Sequence, residues 1–189
     1  MNKTQILSHD FQYGFHAGNK ALESNWMELQ PNKKGRWENG VGLNVTRDEM
    51  TLEKYYTGNR GLFLVVWSGT HIDDAGSIDV NSSEMRQISS LFPAKNRFHS
   101  DVVRYCEIRK TNSIKLSAIM NLAIANDMPA RNTTKLAQIM TDLGADWSGD
   151  EKVSCIWNPN KMYLVRLERG FCYWDNDAIQ NTIEQMKES

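Results

Sequence analysis

The stretch LFLVVW at 62–67 is an unbroken apolar run of six residues, with Gly61 before it and Ser68 after it. Its length suits a strand, and it lacks the alternation of a strand with one wet face. It predicts a strand buried on both faces. Such a strand needs apolar cover on each side, and the rest of the chain must supply it. The remaining pattern is one of short strands with helices interspersed and no regular βαβ alternation, which points to α+β. At 189 residues the chain suits a single domain with a real core, spanning 1–189.

Several function classes are disfavoured by composition. Hydrophobic residues make up 40% and charged residues 24%, the balance of an ordinary globular chain rather than a disordered one. A net charge of −1 gives no bulk basicity for clamping a duplex. The densest basic stretches, NKKGR at 32–36 and RYCEIRK at 104–110, read as solvated faces. Cys106, Cys155 and Cys172 are too few and too scattered for a disulfide framework or zinc knuckle, so they read as reduced thiols, with Cys155 an inward strand residue. No apolar run approaches the ~20 residues of a membrane span, and the first residues hold no apolar signal-peptide core. The expectation is a soluble cytoplasmic protein with no membrane partner. Nothing in the sequence indicates an oligomeric state.

Along the chain, YGFHAG at 13–18 reads as a short strand ending where the backbone stays accessible. A short helix is expected over 21–26 and a polar loop over 30–39. A strand is expected over 41–45. Thr46 and Glu49 have the spacing of a capping box, opening a helix whose apolar side holds Met50, Leu52, Tyr55 and Tyr56. The stretch 68–94 reads as loop with a helix over 83–92, and VVRYCEI at 102–108 as a strand. Helices are expected over 114–125 and 135–143, the second closed by Gly144, and they form a helical insertion over about 113–144. Strands follow at 153–157 and 162–167, with a turn at Gly170. Asp177 is expected to cap a closing helix with Ile179, Ile183 and Met186 on one side.

The usual site signatures are absent: no phosphate-cradling GxxxxGK[ST], no GxSxG elbow, no HExxH and no CxxC. The four histidines, His9, His16, His71 and His99, have no metal-ligand spacing. His16 differs from the others because it ends an apolar strand and is followed by Ala17 and Gly18.

FHAG at 15–18, then GLNVT at 42–46, then Tyr55 resembles the NAD-binding half of the ADP-ribosyltransferase fold shared by diphtheria-type toxins and poly(ADP-ribose) polymerases. That family has an aromatic-His-small-Gly/Ser motif on a first strand, matched by Phe15 to Gly18. On a second strand it has Gly-aliphatic-Tyr-aromatic-Ser/Thr/Ala, matched from Gly42 to Thr46 with Asn44 in place of the tyrosine. Eleven residues after that position a second tyrosine follows in a helix, and Asn44 to Tyr55 is the same step. The run at 61–67 matches the family's next core strand. EKVSCIWNP at 151–159 resembles its late strand, Glu-x-x-x-aromatic-Asp/Asn-Pro, through IWNP. The glutamate position falls near Val153, and Glu151 lies two residues earlier on the same strand face, with Asp150 on the opposite face.

The resemblance implies two small packed, mainly antiparallel sheets around an NAD cleft, with the helical insertion beside it. It implies that Gly18 brackets the nicotinamide carboxamide with its backbone, next to Ala17, and that His16 bonds a ribose hydroxyl. Tyr55, beside Tyr56, would stack on the nicotinamide ring, with Asn44 and Thr46 on the neighbouring strand. Glu151 would stabilise the charge that builds at C1′ as nicotinamide leaves. The implied activity is transfer of ADP-ribose from NAD to a macromolecular acceptor, protein or nucleic acid, as a toxin or phage effector would perform inside a cell. The alternative is a binding or inhibitor module on the same fold, its catalytic glutamate lost, for which Val153 and Asn44 speak.

Overall fold

A computed structural model of the chain describes residues 6–7, 10–18, 42–56, 60–150 and 152–188. The expected helix at 21–26 and loop at 30–39 lie outside these residues. The described strands are β1 (Gln12–Gly18), β2 (Leu43–Thr46), β3 (Gly61–Trp67), β4 (Ser77–Asp79), β5 (Ser113–Lys115), β6 (Trp147–Gly149), β7 (Val153–Ile156) and β8 (Met162–Arg166). The helices are α1 (Glu49–Tyr55), α2 (Ser83–Ser90), α3 (Phe98–Arg109), α4 (Leu116–Ala125), α5 (Thr133–Asp142) and α6 (Asn176–Glu188). Six strands form one antiparallel sheet in the order β6-β7-β2-β1-β3-β8, and β4 pairs with β5. The class is α+β. Among the described residues no helix is long and apolar enough to cross a membrane.

The apolar run becomes β3, and every one of its residues is buried. Its two faces meet different cover. Leu62, Leu64 and Val66 pack with Phe15 of β1, Leu52 of α1, and Ile179, Ile183 and Met186 of α6. Phe63, Val65 and Trp67 pack with Val45, Ile156 and Met162, all strand residues. No described helix contributes to this second cluster. A third cluster joins α2, α3, α4 and α5, and it reaches β7 through Cys155 and Trp157. The two helices expected at 114–125 and 135–143 are therefore half of a four-helix layer, and the first begins only at Leu116.

Three local expectations are corrected. Residues 98–109 form helix α3 rather than a strand around 102–108. Phe98 and Val102 are buried one helical turn apart, while Val103 and Ile108 are 56% and 69% exposed, so the apolar residues mark a helix face. The cap of α1 is Asp48, whose Oδ2 accepts the Thr51 N–H at 2.9 Å. The Thr51 hydroxyl and N–H together hold the Asp48 carboxyl below its usual pKa. Thr46 stays in the sheet. Its hydroxyl donates to the Lys152 carbonyl at 2.6 Å, at the entrance to β7. Met50, expected on the apolar side of α1, is 80% exposed while Leu52 is buried. At α6 the capping carboxylate is Asp175, which accepts the N–H groups of Asp177 and Ala178 at 2.9 and 3.3 Å.

Candidate functional site

The three strands that carry the resemblance, β1, β2 and β7, are immediate neighbours in the sheet. Their pairing is uneven. Among the described residues β1 pairs with β3 along its whole length but with β2 only at Phe15 and Thr46. β2 pairs with β7 along all four of its residues. The sheet is thus two three-stranded halves, β6-β7-β2 and β1-β3-β8, joined at one register pair.

His16 stands at that junction. Its Nδ1 lies 2.7 Å from the Asn44 carbonyl oxygen. A carbonyl can only accept, so Nδ1 carries the proton and Nε2 is left as an acceptor. Burial lowers the His16 pKa below its ordinary 6.5, the Asn44 carbonyl opposes this, and the charge of Arg60 adds to the lowering. The lowered pKa favours the neutral ring, and the Asn44 carbonyl selects the Nδ1-protonated tautomer. That arrangement suits a hydroxyl donor at Nε2.

The register of β1, β3 and β8 builds a surface around this ring. His16 pairs with Phe63, and Phe63 pairs with Arg166. Directly paired residues of antiparallel strands project to one face, so the three side chains form a row. The His16 and Phe63 ring centroids are 6.4 Å apart. One step further along the same face, Gly18 pairs with Gly61. Both glycines are buried, and the Phe63 ring lies against Gly61 on this face. A Cβ on Gly61 would meet Phe63 Cε2 at 3.0 Å and lie 3.7 Å from Arg166 Nε. A cavity of about 500 Å³ opens at this end of β3, lined by Arg60, Gly61, Arg166, Glu168 and Arg169 together with Tyr56, Leu62 and Leu167, which belong to the cluster on the face opposite His16; His16 does not line it. Its volume is in the range of small-molecule pockets, roughly 300–1,000 Å³.

The other candidate residues fall as follows. Ala17 and Tyr56 pack in the cluster on the opposite face of β3, with Leu52 and Phe15. Helix α1, which ends at Tyr55, lies against β1 and β2 and reaches the core through Leu52, on the Phe15 face, whereas His16 stands on the Phe63 face. The side chain of Tyr55 lies outside the described residues. Asn44 is exposed and pairs with Cys155, and Thr46 pairs with Val153. Glu151 lies outside the described residues. Its neighbour Asp150 makes a turn: the carboxylate takes the N–H groups of Lys152 and Val153 at 2.8 and 2.9 Å, and the Val153 and Lys152 bonds hold it below the usual carboxylate range.

Gly42 has a packing role of its own. A Cβ there would meet the Ile156 carbonyl oxygen at 2.0 Å, so only glycine lets β2 approach β7 this closely. Its N–H donates to Cys155 Sγ at 3.1 Å. Arg60, Gly61 and Arg166 were not among the residues expected from the sequence. Gly61 was visible as the start of the apolar run. Arg166 acquires its place only through the β3–β8 register.

No family model matches this chain, and no curated protein and no solved structure matches it either.

Proposed function

We propose that this chain is an NAD-dependent ADP-ribosyltransferase, releasing nicotinamide and passing ADP-ribose to a macromolecular acceptor. One observation carries the reading: the His16 imidazole, its Nδ1 bonded to the Asn44 carbonyl, stands where β1 and β2 part, next to the Gly18–Gly61 pair. A nicotinamide riboside needs an acceptor for a ribose hydroxyl and a backbone it can approach closely. His16 Nε2 would take the hydroxyl, and the backbone at Gly18 would bracket the carboxamide. In the reaction the bond from C1′ to the nicotinamide nitrogen breaks, and its electron pair leaves with nicotinamide. The acceptor nucleophile bonds to C1′ and gives up its proton. The role left for Glu151 is to face the positive charge that grows at C1′.

Release of free nicotinamide from NAD by the purified chain tests this. His16→Ala and Glu151→Gln should each cut the rate by orders of magnitude. Full activity in Glu151→Gln would exclude the role given to that residue.

A second reading has its own observation. Val153, which pairs with Thr46, lies near the position where the resemblance would put the glutamate. A binding module of this kind would hold ADP-ribose or NAD without turnover. Binding by calorimetry with no nicotinamide release would favour it over the transferase.

A further inference from the structure

A second cavity, of about 380 Å³, lies at the opposite end of β1 and β3, where Gln12 pairs with Trp67. Trp67, Trp147 and His71 all line it. Their rings form a chain. Trp67 and Trp147 meet edge to face with centroids 5.8 Å apart, and Trp147 and His71 do so at 4.5 Å. The backbone brings them together: Trp67 closes β3, Trp147 opens β6, and an isolated β-bridge joins His71 to Trp147. Trp147 Nε1 donates to the Gly69 carbonyl at 3.2 Å, and His71 Nε2 donates to the Gly149 carbonyl at 3.1 Å. His71 Nδ1 accepts the Asp73 N–H at 3.3 Å. With those edges engaged, the two half-buried rings have only apolar surface left to offer a ligand.

Trp67 differs. Its indole is buried, and Nε1 is the one buried side-chain polar atom with no hydrogen-bond partner among the described residues. Buried donors are normally paired, so an unpaired one on a ring of the cavity wall points to an acceptor that comes from outside. The exposed lining residues are of both signs, Arg47 and Lys152 with Asp74 and Asp150. Arg47 Nη2 donates to Gln12 Oε1 at 2.8 Å, which leaves the Gln12 amide N–H groups as donors. Such a lining selects for no net charge. It suits a neutral planar ring with donors and acceptors along its edge, and a nucleobase has that chemistry. An aromatic ligand also continues an edge-to-face chain, which a saturated sugar ring does not.

We propose that this cavity is a site for a single nucleobase, packed among Trp67, Trp147 and His71. Six residue steps of the β1–β3 ladder, roughly 20 Å, separate its Gln12–Trp67 wall from the Gly18–Gly61 pair. The site needs neither His16 nor Glu151 and stands apart from the transferase reading.

Titration calorimetry of the 189-residue chain with adenosine and with uridine, in the absence of NAD, is the test. A nucleoside should bind, Trp147→Leu should weaken it by about tenfold or more, and Trp147→Phe, which keeps a ring, by less. Thermal melting of each variant checks that it is folded. In the wild type, the indole N–H resonances of Trp67 and Trp147 should both shift as the nucleoside is added, a readout that needs no variant to fold. Similar affinities for adenosine and a short oligoadenylate identify a free nucleoside as the ligand. Much tighter binding of the oligoadenylate, weakened by Trp147→Leu, identifies a base of a single-stranded nucleic acid. No binding of either nucleoside, affinity unchanged in Trp147→Leu, or a methyl glucoside that binds more tightly than both overturns the proposal. Nicotinamide release from NAD by a chain that binds no nucleoside overturns it and leaves the transferase reading standing. Nucleoside binding that depends on Trp147, without nicotinamide release, does the reverse.

Discussion

His16 and Arg166 stand on one face of the sheet, on either side of Phe63, because β1, β3 and β8 pair in a single cross-strand row. Two strand spacings separate them, roughly 10 Å. An imidazole whose pKa is lowered by burial and a guanidinium that is always charged thus flank one aromatic ring, with the Gly18–Gly61 pair next to them.

The state of His16 makes stability depend on pH. Its pKa is lowered on folding, so below its ordinary value the unfolded chain binds a proton that the folded chain refuses. This contribution is fully present above 6.5 and is lost as pH falls from there toward the folded value. The slope is bounded by one proton, about 1.4 kcal/mol per pH unit. Urea unfolding of the wild type and of His16→Gln between pH 5 and 8 checks this. The variant should show a flatter profile below pH 6.5; identical profiles would mean that His16 is not the group responsible.

Two glycines should respond to alanine very differently. At Gly42 the new Cβ would press on the Ile156 carbonyl oxygen at 2.0 Å, and β2 and β7 would have to separate. Gly42→Ala should cost about 3 kcal/mol or more in urea unfolding. At Gly144 φ is +87°, but nothing lies within 4 Å of the added methyl. Gly144→Ala should cost only the left-handed backbone penalty, about 1–2 kcal/mol. Equal losses at the two positions would show that β2 and β7 are not held that close.

Cys155 should be inert in the folded chain. Its side chain is fully buried, and burial pushes its thiol up to about 12. With a thiol reagent at pH 8, followed by mass spectrometry, Cys155 should stay unmodified until urea unfolds the protein. The half-buried Cys106 and Cys172 should label first. Labelling of Cys155 in the native chain would contradict the packing of β7 against α2–α5.

Much of the scaffold was legible in the sequence, wherever apolar pattern alone decides the element. β3 is marked by its run, α6 by Ile179, Ile183 and Met186, and the end of α5 by Gly144, which has the expected positive φ. α3 was misread because VVRYCEI is rich in β-branched and aromatic residues. Burial of Phe98 and Val102 against the other helices overrides that local preference. The cap of α1 was displaced for a related reason: the Thr46 hydroxyl is engaged by the Lys152 carbonyl, across the sheet, and Asp48 serves the helix instead. The site was legible only in part. His16 and Gly18 stood out by position along the chain. Their row with Phe63 and Arg166 depends on register, which the sequence does not state, and so does the partnership of Gly18 with Gly61.

The most direct test of the account is nuclear magnetic resonance of the histidine side-chain nitrogens, with His16 assigned from His16→Gln, during titration with NAD. The account predicts that Nδ1 stays protonated on the Asn44 carbonyl, while the Nε2 resonance moves as it accepts a ribose hydroxyl. An Nε2 resonance that does not move at saturating NAD, or a chain that binds neither NAD nor ADP-ribose, would contradict it.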